Sequence, residues 1–279
     1  MALFVSAQSG NWHDPLTWDV GAVPDLGSDD VIIADGHEVV FESGYTESLG
    51  SGRLIGIAAN GTLRIQGGID AYDAGVVVLG TLIAEGDYFA VWGGTELQID
   101  PGGTVTIISS FYLEWESTAN VEGQLTIESG GYADIYDSGL LTVAVGGTVQ
   151  NYGYCYCEYG GAVVVHDNFS VETGGYLDVF DYASVTIEDN GAAFVYGTLS
   201  TGWYGLINVY GYLAVHQDGY LRVYSYAQVN VYNDIRVSGR MTGGGKIVML
   251  RREGRILDFN DNLLFVLDRA YGFGQTQIA

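Results

Sequence analysis

His166 with Asp167 and Glu188 with Asp189 are two pairs of side chains with acid–base potential, set 22 residues apart. Asp100 and Glu122 repeat that spacing. Carboxyls held about 5 to 9.5 Å apart can cleave a glycosidic bond, so these residues become a candidate hydrolase or lyase cluster if the fold stacks position i on position i+22. No Lys or Arg accompanies them to bind an anionic sugar or stabilise an oxyanion, and a chain with 34 Asp plus Glu produces such neighbours without any function. Asp25, Asp29 and Asp30 also gather carboxylates, but their spacing does not define a calcium loop. Cys155 and Cys157 are the only cysteines. Two apart on a strand, they point the same way and read as core thiols, not as a disulfide or a metal pair. The expectation is therefore a protein that is not an enzyme and takes no cofactor or metal.

What must position these residues is an internal repeat. Gly131, Gly153, Gly175, Gly197 and Gly219 recur every 22 residues. Leu141, Val163, Val185, Ile207 and Val229 keep the same step, as do Val143, Val165, Ile187, Val209 and Val231. Two further columns are Ala133, Cys155, Leu177, Leu199, Leu221 and Val149, Val171, Ala193, Val215, Val237. The register extends backward through Val121, Ile99 and Val77, and through Ile135, Leu113 and Val91. Inside each repeat the motif Gly-x-Leu-x-Val alternates apolar and polar residues, which predicts strands buried on one face.

Three such segments per period predict an all-β, single-chain parallel β-helix, or β-solenoid, of about 22-residue three-strand coils. Residues 61 to 243 would give about eight coils and a shaft on the order of 40 Å at the usual strand spacing. An antiparallel sandwich, the competing all-β architecture, has no reason to hold a fixed period, although Asn60-Gly61 and Asn190-Gly191 resemble hairpin turns. A solenoid exposes core and unpaired backbone at both ends and needs caps. Residues 1–34, with Trp12 and Trp18, predict an N-terminal cap, and residues 35–240 the helix. Residues 241–279, with Leu263, Leu264, Phe265 and Leu267, predict a C-terminal cap and docking segment.

Charge follows the axis. Residues 1 to 235 hold 3 basic and 30 acidic side chains, net −27, and residues 236 to 279 hold 7 and 4, net +3. An overall charge of −24 repels polyphosphate and excludes nucleic acid as a partner. A hydrophobic fraction of 48% against 16% charged excludes an acidic disordered tail. No run approaches the ~18 apolar residues of a membrane span. Arg240, Lys246, Arg251, Arg252 and Arg255 form the candidate docking end, since the arginine fork suits carboxylate partners. Tyr132, Tyr154, Tyr176 and Tyr220 share one outward column interrupted at Thr198, and Tyr182, Tyr204 and Tyr226 share another. Stacked phenols stabilise a sheet by ~0.2 to 1 kcal/mol per pair. They also offer area and a polar tip to a second subunit or a sugar ring.

The segment Ser9-Gly10-Asn11-Trp12, Asp14-Pro15, Thr17-Trp18, then Gly21, Pro24, Gly27, Asp30 and Val31 resembles the opening of G8-type domains. It is similar to the start of many β-helical proteins of bacterial surfaces and bacteriophage particles. The match covers a short N-terminal stretch of the 279 residues and transfers no catalytic residue. It implies a virion or extracellular β-helix. The opening MALFVSAQSG lacks a positive n-region and a long apolar stretch, which favours the virion branch. The expectation is a non-enzymatic structural protein, a capsid decoration, fibre or tail appendage, associating laterally as a homotrimer with itself and with other virion or surface-assembly proteins. The alternatives are a secreted or cell-surface β-helix that binds or degrades glycan, or a bacterial surface adhesin.

Overall fold

The computed structural model describes residues 2–249, 256–257 and 263–265. The chain winds into a parallel β-solenoid of three sheets with 12, 13 and 10 strands. The third sheet has ten strands, one per coil, so ten complete coils stack, on the order of 50 Å at the parallel strand spacing. Among the described residues the strand pairs are parallel except for Ile256–Leu257 against Leu263–Phe265, which removes the sandwich. No helix of the described residues is long and apolar enough to cross a membrane.

Each coil runs from the first sheet to the second and then the third. Leu140–Val143, Thr148–Asn151 and Tyr154–Cys157 are one such coil. Alternation within each strand sends Leu, Ile and Val inward to one continuous core and leaves the polar partners outside. Cys155 and Cys157 lie in that core as free thiols, and burial pushes the Cys155 thiol up to about 12. Asn151 takes an inward position, where its amide donates to the Tyr176 carbonyl at 2.9 Å and its oxygen accepts from the Gly153 N–H at 3.1 Å.

The ladder begins earlier than the visible period. Leu3–Val5 already pairs with Asp30–Ile33, and Gly10–Asn11 with Glu38–Phe41, so residues 1–34 supply rungs as well as closure. Trp12 and Trp18 cover the end of the core, with ring centroids 4.9 Å apart, and the Trp18 indole donates to the Trp12 carbonyl at 2.8 Å. The period is hidden here because coil length varies: Ile33 faces Ile57 and Ile57 faces Val78, steps of 24 and 21 residues. For the same reason Ile99 sits on Val78 rather than Val77, which points outward.

One expected column dissolves. In the second sheet Val149 faces Phe169, Phe169 faces Ala193, and Ala193 faces Leu213, while Asn151, Val171, Val195, Val215 and Val237 form a separate column. Turn lengths explain the difference. At the corner between first and second sheets, turns of four residues (144–147) and two residues (166–167) alternate from coil to coil. At the corner between second and third sheets, two (152–153) and four (172–175) alternate in the opposite phase. The total stays constant, so from Glu96 to Gln228 the first sheet and from Phe89 to Tyr220 the third keep a 22-residue step while the second sheet shifts by two and back; the last steps, Gln228 to Lys246 and Tyr220 to Arg240, shorten to 18 and 20.

The repeating glycines are required by proximity. The Gly153, Gly175 and Gly197 carbonyls accept from the Tyr176, Thr198 and Tyr220 N–H groups of the next coil at 2.8 to 3.0 Å. A Cβ on Gly197 would lie 2.3 Å from the carbonyl oxygens of both Glu172 and Gly175. Left-handed backbone falls elsewhere, as at Gly130 and Gly174.

Candidate functional site

The acid–base candidates come together only in part. His166 stacks on Glu188, whose N–H donates to the Val165 carbonyl at 2.9 Å. Asp167, however, closes a two-residue turn while Asp189 lies inside a four-residue one, so Asp167 falls opposite Gly191. Its carboxylate accepts from the Gly146 N–H at 2.7 Å and from the Asn168 amide, a staple between turns. Asp100 and Glu122 are tied together by amides: Gln98 Nε2 donates to both, and Asn120 donates to Glu122 and Gln98. Asp25 and Asp29 hold the backbone of their own loop and of Ala2, and Asp30 accepts from the Leu54 N–H. The Ala2 N–H bond holds the Asp29 carboxyl below its usual range. Among the described residues no group of three or more His, Cys, Asp or Glu could hold a metal ion.

Two aromatic surfaces remain. The first is the outer face of the third sheet. Tyr132, Tyr154, Tyr176, Thr198, Tyr220 and Arg240 succeed one another in register. Beside them runs the column Tyr112, Asp134, Tyr156, Asp178, Ser200 and Arg222. The rings interdigitate, with Tyr132 to Tyr156 at 5.4 Å and Tyr156 to Tyr176 at 6.3 Å. They close over Asp134, which is 7% exposed, with one oxygen accepting from the Tyr132 hydroxyl at 3.0 Å. Burial raises the Asp134 and Asp178 carboxyls. Burial and then the Asp134 charge push the neighbouring Glu158 up to about 7. Burial also raises the Tyr132 phenol, with the Asp134 charge next. This face ends in positive charge: the Arg222 and Arg240 guanidiniums lie 5.2 and 5.5 Å from the Tyr220 ring centroid. Arg240 and Lys246 are exposed but sit on different sheets. Arg251, Arg252, Arg255 and Leu267 lie outside the described residues.

The second surface is the corner between third and first sheets, where every turn from 114–117 to 224–227 has four residues. Its two central positions are left-handed: Trp115 and Glu116, Asp137 and Ser138, Asp181 and Tyr182, Trp203 and Tyr204 all have φ between 40° and 68°. This conformation calls for Gly or Asn, and Gly93-Gly94 supplies glycine at the equivalent turn below. Bulky residues there cost of order 1–3 kcal/mol each, so Trp115, Trp203 and their tyrosine neighbours stand against the backbone's preference.

Tyr182 and Tyr204 stack at 5.1 Å with rings within 3° of parallel, and Tyr204 meets Tyr226 at 5.7 Å. The adjoining column alternates: Trp115, Asp137, Tyr159, Asp181, Trp203, Ser225. Two grooves open along this one edge. A cavity of about 900 Å³ lies among Asp178, Asp181, Trp203, Tyr204, Tyr224 and Tyr226, and one of about 540 Å³ among Gly93, Trp115, Glu116 and Asp137. Sequence reasoning found the Tyr182, Tyr204, Tyr226 column but missed Trp115, Tyr159 and Trp203. Their step is 44 residues, two coils, and a search at one period passes over it.

No family model and no curated protein sequence matches this chain. Among solved structures it is similar to a TibA fragment hyper-glycosylated by TibC, at 14% identity over 91% of this chain and 93% of that one, with a TM-score of 0.27. The functional reading therefore rests on this chain's own residues.

Proposed function

We propose that the chain is a non-enzymatic structural rod of an extracellular assembly, a bacteriophage-like particle or a bacterial surface, docked through its basic C-terminal end. The observation that carries this reading is the unbroken parallel ladder, whose 22-residue coils from Glu96 to Gln228 make a stiff shaft without inserted lobes. Of the carboxylates named for hydrolytic chemistry, Asp167 holds turn backbone and Asp100 and Glu122 belong to an amide ladder. Arg222 and Arg240 bring positive charge to the end of an otherwise acidic shaft, which suits an acidic assembly partner. The tyrosine face is the natural side for lateral association of copies, as a homotrimer.

The test combines location and charge reversal. Electron microscopy of the native source is expected to show elongated density projecting from a particle or cell envelope. Arg240→Glu with Lys246→Glu, and separately Arg251→Glu with Arg252→Glu, should abolish incorporation while leaving the purified protein folded. Unchanged incorporation of both variants would remove the docking idea. Release of fragments from a polysaccharide, lost in His166→Ala, would replace the structural reading with an enzymatic one.

A further inference from the structure

We infer that the corner between the third and first sheets is a binding site for an extended, uncharged polysaccharide chain running along the solenoid axis, with Trp115, Tyr159 and Trp203 as successive ring platforms. Three observations support it. First, Trp203 is 73% exposed, with Asp181 below and Ser225 above it in its column instead of rings, and Tyr159 and Trp115 are 59% and 51% exposed, Trp115 with its indole N–H on Asp137 at 3.0 Å and the Trp92 ring T-shaped against it at 5.4 Å. An open indole face accepts the C–H face of a pyranose, and flanking carboxylate and hydroxyl groups are placed to bond the ring's hydroxyls.

Second, the platforms recur every two coils, roughly 10 Å at the parallel strand spacing, which is close to two sugar units in an extended chain. A linear polymer with a disaccharide repeat can therefore engage several platforms in one register. Third, the two grooves along this edge are lined by Asp178 and Asp181, or by Glu116 and Asp137, on a shaft of strongly negative charge. That field repels uronate and sulfate polymers and leaves hydroxyl recognition intact.

The experiment is affinity electrophoresis of the full chain in gels containing hydroxyethyl cellulose, dextran or alginate, followed by titration with soluble cello-oligosaccharides. Expected is retardation by hydroxyethyl cellulose and none by alginate, with affinity rising steeply once the oligosaccharide spans two platforms. Trp203→Asn should weaken binding at least tenfold, and Trp115→Asn with Trp203→Asn should abolish the length dependence. Asparagine tolerates the left-handed backbone, so Trp203→Asn should unfold at or above the parent temperature, and the double variant, which also loses the Trp115 contacts with Trp92 and Asp137, should keep the parent's far-UV circular dichroism, which separates lost binding from lost fold. Absence of retardation in every gel, preference for alginate, or undiminished affinity of Trp203→Asn would overturn the assignment. So would self-association of the parent that Trp203→Asn abolishes without any glycan effect, since the edge would then bind a second copy. None of these outcomes depends on incorporation into a particle, so this site and the docked rod can fail separately.

Discussion

Glu158 sits at the edge of the tyrosine-covered carboxylates, where burial and then Asp134, Asp181, Asp137 and Asp178 disfavour its charged form and raise it to about 7. Between the usual carboxylate value near 4.5 and about 7, the folded chain therefore holds a proton that the unfolded chain releases. Stability falls as pH rises through that window, because the unfolded state binds fewer protons there. The burial-driven rises at Asp134 and Asp178 act in the same sense. Glu158→Gln removes the ionisation at this position. The variant should melt above the parent at pH 8, and the difference should close below about pH 4.5. Thermal unfolding followed across that range checks it, and an equal gap at both ends would put the cause in packing instead of charge.

At the scale of the coil, what matters is how closely one rung rests on the next. Gly197 has ordinary backbone angles, yet a methyl there would press on the Glu172 and Gly175 carbonyls, part of the rigid ladder. Gly197→Ala should destabilise by about 1 to 3 kcal/mol, as overpacking of a close-packed site does, read from urea unfolding midpoints. The 22-residue step, the inward columns of the first and third sheets and the buried thiols were legible in the sequence, because those sheets are joined through turns of fixed total length. The second sheet was not legible, since its register shifts by two residues at every coil and the average step mimics a true column through Val149 and Val171. The first three coils were obscured by unequal lengths. Asp167 and Asp189 looked aligned for the same arithmetic reason, and the alternating turns separate them. The tyrosine columns could be read off directly, while the platforms at Trp115, Tyr159 and Trp203 could not, because Asp137 and Asp181 interrupt them.

For the molecule as a whole, every functional reading depends on coils adding height at a constant increment, so that a shaft holds docking charge at one end and displays a periodic edge along its length. Spin labels at Thr46, Tyr132 and Tyr220 measure this directly, because all three lie in one outward column of the third sheet. Four rungs separate Thr46 from Tyr132, and four more separate Tyr132 from Tyr220, by that register. At the parallel strand spacing, pulsed electron–electron distances should be about 19 Å for each neighbouring pair and about 38 Å for the outer pair. Additive distances with narrow distributions are the expected result. An outer distance no longer than the inner ones, or broad distributions for all three, would contradict the stacked rod.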